Sequence, residues 1–189
     1  MQSIRELPRI AEIQQLARTS LFEIEAINVR FPNGAERRLE RLKNRTGSTV
    51  LMVPLLDAKS VLLVWEYCVG TNTYELMFPT GTVGTHERME DAVQRELREE
   101  IGYGALSISH LASLKSFPGH LDHDTHVFIA SDLYVEKLPG DEPQPLQIVK
   151  CPISNLADLF DMKEFREVRS VAALLLLERF LSRQSATIG

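Results

Sequence analysis

The sequence predicts an α/β fold, and three observations predict it. Short strand-like runs with turn signals between them fill most of the chain. One glutamate-rich helical segment, bounded by glycines, interrupts them between Gly81 and Gly104. An apolar stretch, VAALLLLERFL from Val171 to Leu181, lies near the C-terminal end. It is far shorter than the ~20 residues that cross a bilayer, contains Glu178 and Arg179, and reads as a buried helix. The chain has 189 residues, 44% of them hydrophobic, which suits one domain with a core and a small extension.

The elements follow in order. Leu21 to Arg30 alternates as a strand, Pro32-Asn33-Gly34 turns, and Glu36 to Leu42 returns, giving an N-terminal β-hairpin. This hairpin, within an extension over residues 1–45, is polar and needs a docking surface. A second subunit is a candidate. The remaining residues, 46–185, form the main domain. Ser48 to Leu56 and Val61 to Tyr67 read as strands around an Asp57-Ala58-Lys59 turn, and Glu75 to Phe78 as a short strand. The helix comes next, with Met89, Val93 and Leu97 on one face. Strands at Leu106 to Leu114, Thr125 to Val135 and Ile148 to Pro152 follow, then helices near Ile153 to Leu159 and Lys163 to Ser182.

Bulk properties narrow the function. The net charge of -5 argues against a DNA-binding protein, and an anionic substrate would need a cation as intermediary. Cys68 and Cys151 form no metal-type pair and read as two reduced thiols. The opening MQSIRELPRI lacks the apolar core of a signal peptide, and no stretch spans a membrane, so a cytoplasmic location is expected.

The window GTVGTHERMEDAVQRELREEIGY, Gly81 to Tyr103, carries the chemistry. Glu96 and Glu100 are four apart on one helix face, with Glu99 at its edge. Like charges at that spacing repel, so folding alone does not ask for them. Magnesium wants carboxylate and water oxygens and would explain the cluster. Arg95 lies four before Glu99 and is placed to steady its carboxylate. The window resembles the Nudix box: Gly81, Glu87, Arg95, Glu96, Glu99, Glu100 and Gly102 fill the fixed positions, and Tyr103 replaces the usual aliphatic residue. With each residue type at roughly 6%, a chance match runs on the order of one in a million.

The resemblance implies an α/β/α sandwich with a mixed central sheet. It also implies Mg2+ (or Mn2+) bound by Glu96, Glu99, Glu100 and the backbone carbonyl of Thr80. The lead-in YELMFPTG, Tyr74 to Gly81, and a proline at Pro118 are similar to the ADP-ribose pyrophosphatase group. The hairpin, WEYCVGT and GDEPQPL look like a bacterial branch that hydrolyses ADP-ribose, NADH and diadenosine triphosphate and releases AMP. By that resemblance Glu99, Glu142 and Arg95 are the candidate catalytic residues. Arg38, Glu40, Arg41, Glu75, Pro118 and Gly119 are the candidate substrate contacts, in a homodimer with no DNA or membrane partner. Two positions depart from the related ADP-ribose enzymes: no arginine stands near Cys68, and His123 stands where a glutamate is frequent. Glu75 either anchors substrate or pairs with an arginine. Trp65 either stacks on adenine or packs in the core. His120, His123 and His126 form either a transition-metal site or a polar loop. Other readings keep the fold but act on nucleotide sugars, coenzyme A or capped RNA, or make the chain a non-catalytic nucleotide sensor.

Overall fold

The computed structural model describes residues 6–140 and 143–187, the last four by backbone alone. Among the described residues eleven strands run in chain order: β1 (Arg9–Arg18), β2 (Phe22–Arg30), β3 (Glu36–Asn44), β4 (Thr49–Asp57), β5 (Ser60–Cys68), β6 (Thr73–Met77), β7 (Thr80–Thr82), β8 (Tyr103–Leu114), β9 (Leu121–Asp122), β10 (Thr125–Val135) and β11 (Gln147–Pro152). Helix α1 (Met89–Glu96) follows β7 and continues as a π-helical turn, Leu97–Ile101. A 3-10 segment, Ile153–Asp161, and helix α2 (Val168–Thr187) follow β11. The structure divides into two compact units, Met1–Gly47 with Lys115–His123, and Ser48–Leu114 with Asp124–Gly189.

The first unit is a four-stranded sheet in the order β1-β2-β3-β9. The expected hairpin is its centre, closed at Gly34, whose φ of 83° no β-branched residue would take comfortably. β1 was not foreseen. Its apolar residues Ile10 and Ile13 are three apart, which is not a strand period. A register shift between Ile10 and Glu12 sets them opposite Val29 and Ile27, on one face. All ten β1 residues are exposed. β2 buries Glu23 and Glu25. Their partners stand directly across the register, Lys43 opposite Glu23 and Arg41 opposite Glu25.

The second unit holds a seven-stranded mixed sheet. Its order is β11-β5-β4-β10-β8, with β6 paired to β5 and β7 to β4; only the β4–β10 pair is parallel. The central strand β4, TVLMVPLLD, is a nearly continuous apolar run because both its faces are covered. Val50 and Met52 face Ala92, Val93 and Leu97 of the first helix and its extension. Leu51 and Val53 face Leu156, Phe165, Leu174 and Leu177. This is the α/β/α layering that the resemblance implied. The closing elements differ from expectation: the first is a 3-10 segment, and α2 begins at Val168 rather than Lys163. Glu167 holds that start, its carboxylate accepting from the Arg169 and Ser170 amides at 3.2 and 2.8 Å. Among the described residues no helix is long and apolar enough to cross a membrane.

Candidate active site

The site is built where β7, α1 and the π-helical turn meet in the second unit. β7 pairs with β4, setting Gly81 opposite Val50 and Thr80 opposite Leu51. A side chain at Gly81 would displace Glu96, because an added Cβ would fall on the Glu96 side chain. The approach to α1 is fixed by Glu87, whose carboxylate accepts from the Gly84 amide at 2.7 Å. Leu97 and Ile101 anchor the π-helical turn in the core. Arg98, Glu99 and Glu100 lie between them and are only partly buried. Such π-turns occur frequently at functional sites. Gly102 ends the turn at φ 75°, left-handed backbone that suits glycine.

Arg95 is the hub. Its Nε and Nη2 donate to the two Glu87 oxygens at 2.9 and 3.0 Å. Nη1 donates to Glu96 at 2.7 Å and to Glu99 at 3.0 Å, and Nη2 also reaches the Thr82 carbonyl at 3.0 Å. The bond to Arg95 is the main reason the Glu87 carboxyl titrates below its ordinary value, against the opposing effect of burial. Arg95 in turn is raised, first by Glu87, and stays charged.

Glu96, Glu99, Glu100, Thr80 and Arg95 line one pocket of about 410 Å3, joined by Glu66, Arg169 and Gly140. Four carboxylates against two guanidiniums leave the lining with a net excess of negative charge. Among the described residues no three His, Cys, Asp or Glu side chains stand ready to share one metal ion. Instead a single guanidinium nitrogen touches Glu96 and Glu99 together. That nitrogen shows that one cationic centre reaches both carboxylates. With hard oxygen donors in excess, the set fits Mg2+ or Mn2+.

The other candidate residues fall elsewhere. Glu40, Arg41, Pro118 and Gly119 do come together, in a pocket of about 320 Å3 in the first unit. Arg41 also binds the buried Glu25, at 2.9 Å. Arg38 does not join them: it bonds Gln14 at 2.9 Å and lines a neighbouring groove of the same unit with Arg30 and Arg37. Glu75 accepts from Thr73 at 2.8 Å and stands opposite Glu66 in the β5–β6 register; among the described residues no arginine ion pair to it is seen. Glu142 lies outside the described residues. His126 lies in the second unit, His120 and His123 in the first. Its Nδ1 is 2.8 Å from the Ser113 hydroxyl, which is 3.1 Å from His110 Nε2. Trp65 packs against the core cluster on the α2 side. Sequence reasoning missed Glu66 and Arg169. Glu66 was signalled by its place in the WEYCVGT run; Arg169 had no local signal, since α2 brings it in from far along the chain.

Comparison with known proteins follows from this geometry. A NUDIX domain model matches residues 45–178, and a NudE-type Nudix hydrolase N-terminal domain model matches residues 8–41. The ADP compounds hydrolase NudE of Escherichia coli (strain K12) is 37% identical over 177 residues, covering 94% of this chain and 95% of that protein. The ADP-ribose pyrophosphatase of Bacillus subtilis (strain 168) is 25% identical over 167 residues, covering 87% and 89%. A crystal structure of an ADP compounds hydrolase matches with a TM-score of 0.90 and 36% identity, covering 97% of this chain and 98% of that one.

Proposed function

The chain belongs to the Nudix hydrolase family, and from that premise we propose that it hydrolyses ADP-linked pyrophosphates with Mg2+ or Mn2+ and releases AMP. ADP-ribose, NADH and diadenosine triphosphate are its substrates in this reading. The observation that carries it is the pocket in which Arg95 holds Glu87, Glu96 and Glu99 beside Glu100 and Thr80. Similarity to an ADP compounds hydrolase and an ADP-ribose pyrophosphatase supports the substrate class.

Glu96, Glu99, Glu100 and the Thr80 carbonyl would hold the metal. When bound, it supplies neutralisation of the pyrophosphate's charge and a more acidic water. The chain's own residues do the rest. Arg95 keeps Glu96 and Glu99 on one side of the pocket and prevents their mutual repulsion from splaying them. Glu99 or Glu142 removes the proton from the attacking water. Glu40, Arg41, Pro118 and Gly119 line a largely apolar pocket in which Arg41 and Lys115 supply the cationic groups for phosphate oxygens. The protein acts as a cytoplasmic homodimer in which both copies contribute to each site. The free thiols Cys68 and Cys151, both raised by burial, support a reducing compartment.

Product analysis tests the reading. With Mg2+, ADP-ribose should yield AMP and ribose 5-phosphate, NADH should yield AMP and reduced nicotinamide mononucleotide, and diadenosine triphosphate should yield AMP and ADP. In isotopically labelled water the label should enter AMP, because attack falls on the adenosyl phosphorus. No AMP from any of the three compounds would overturn the substrate class.

A further inference from the structure

The second unit holds another cavity, of about 550 Å3, walled by Trp65, Tyr67 and Tyr74 on one side and by the segment 143–147 on the other. Small-molecule sites commonly measure roughly 300–1,000 Å3. Its aromatic wall is fixed before any ligand arrives. Tyr67 and Tyr74 stand opposite each other across the β5–β6 pair, ring centroids 5.6 Å apart at 61°. The two residues are 49% and 51% exposed, yet both hydroxyls are tied down. Tyr67 donates to Asn72 Oδ1 at 2.7 Å, and Gln144 Nε2 donates to the Tyr74 hydroxyl at 2.8 Å. Asn72 is held in turn: its φ is 55°, which asparagine tolerates, and its amide bonds the Cys68 carbonyl at 2.8 Å. Pro143 and Pro145 restrict the chain on either side of Gln144. Half-exposed rings usually keep their freedom. These have given it up on folding, which lowers the cost of stacking a ligand on them.

The lining also defines the ligand's chemistry. Among the described residues no Lys or Arg lines the cavity, so a phosphate is disfavoured, and its aromatic wall favours a planar, uncharged or cationic ring. Glu66 lines both this cavity and the glutamate pocket, and since it alternates with Trp65 and Tyr67 along β5, the two cavities lie on the two faces of that one strand. Resting on the reading above, we infer that this cleft binds the second planar ring of an ADP compound, a nicotinamide or a second adenine. It thereby favours dinucleotides over ADP-ribose, whose second half carries no such ring.

Trp65 is the chain's single tryptophan, so quenching of its emission reports NADH binding, and the Tyr74→Leu comparison locates that binding at the cleft. The full chain in chelator, where turnover is absent, is titrated with NADH. Saturable quenching is expected, and Tyr74→Leu should weaken NADH binding about tenfold, as loss of one aromatic stacking contact does. With metal, the ratio of kcat/KM for NADH to that for ADP-ribose should fall about tenfold in Tyr67→Leu and in Tyr74→Leu. It should fall less in Gln144→Ala, which keeps both rings but frees one. An unchanged ratio would refute the inference. So would equal losses on both substrates, which would place the shared ADP half in the cleft, or emission indifferent to NADH. A wild type that hydrolyses no ADP compound fails the proposed function instead, and the Trp65 titration still decides the cleft.

Discussion

Arg95 shows how one residue organises a set of like charges. Four carboxylates of the box would repel, and Arg95 ties three of them into one arrangement. The proposed role of Glu99 and Glu100 is chemical, so charge removal at constant size is the informative change. Glu99→Gln and Glu100→Gln should each lower turnover by roughly 100-fold or more while circular dichroism stays native. Near-normal turnover in both would remove them from the reaction. Glu25 is a second residue under tension, in the first unit. Burial pushes its carboxyl up, but hydrogen bonds from Arg41 and Lys43 outweigh this and leave it below its ordinary value. A lowered pKa contributes stability above the unfolded value of about 4.3, lost as pH falls through the folded value. The melting temperature should therefore drop on acidification below about pH 4.5, and Glu25→Gln should show a shallower drop. Parallel curves for the two proteins would count against the pairing as the source.

At the scale of elements, the box helix is not a uniform α-helix. Its first two turns are α, and the turn bearing Glu99 and Glu100 is π-helical. Leu97 and Ile101, four apart, both reach the core while the carboxylates between them line the pocket. Gly102 makes the exit possible. Gly102→Ala should destabilise by about 1 kcal/mol, since alanine resists positive φ, and a thermal melt would measure it. Space is not the obstacle, because the nearest atoms to an added Cβ lie 3.7 Å away on Lys137. A melt unchanged by the substitution would mean that the left-handed turn is not a constraint. The hairpin β2–β3 is similarly locked, by cross-strand pairs rather than by its turn alone.

For the molecule as a whole, a cluster of carboxylates cannot attract a pyrophosphate by itself. Activity on ADP compounds should vanish with chelator and return with Mg2+. Full turnover in metal-free buffer would exclude the proposed chemistry. The first unit is thin, with every residue of β1 exposed and apolar side chains such as Ile10 and Leu39 uncovered. A second copy of the chain would cover such a face. Light scattering at micromolar concentration should give twice the monomer mass of 21.4 kDa, and a monomer would contradict the dimer.

The sequence by itself determined the seven box positions, the strand runs from β2 to β5 and β10, and the apolar closing helix. These are local signals: fixed spacing, alternation, and a continuous apolar run whose meaning does not depend on distant residues. It also singled out Glu40, Arg41, Pro118 and Gly119. Their meeting, from positions some 80 residues apart in the chain, is a matter of the β3–β9 pairing. Only the tertiary structure supplied β1, because bulges conceal its period, and the π-helical turn, because a one-residue change of pitch leaves no mark on composition. It alone placed Arg169 and Glu66 at the glutamate pocket and separated Arg38 from Arg41. The Tyr67–Tyr74 cleft belongs to this second class as well. Its rings meet through strand register, and its clamp, Gln144, arrives from 70 residues away, a distance over which sequence patterns carry no information about contact.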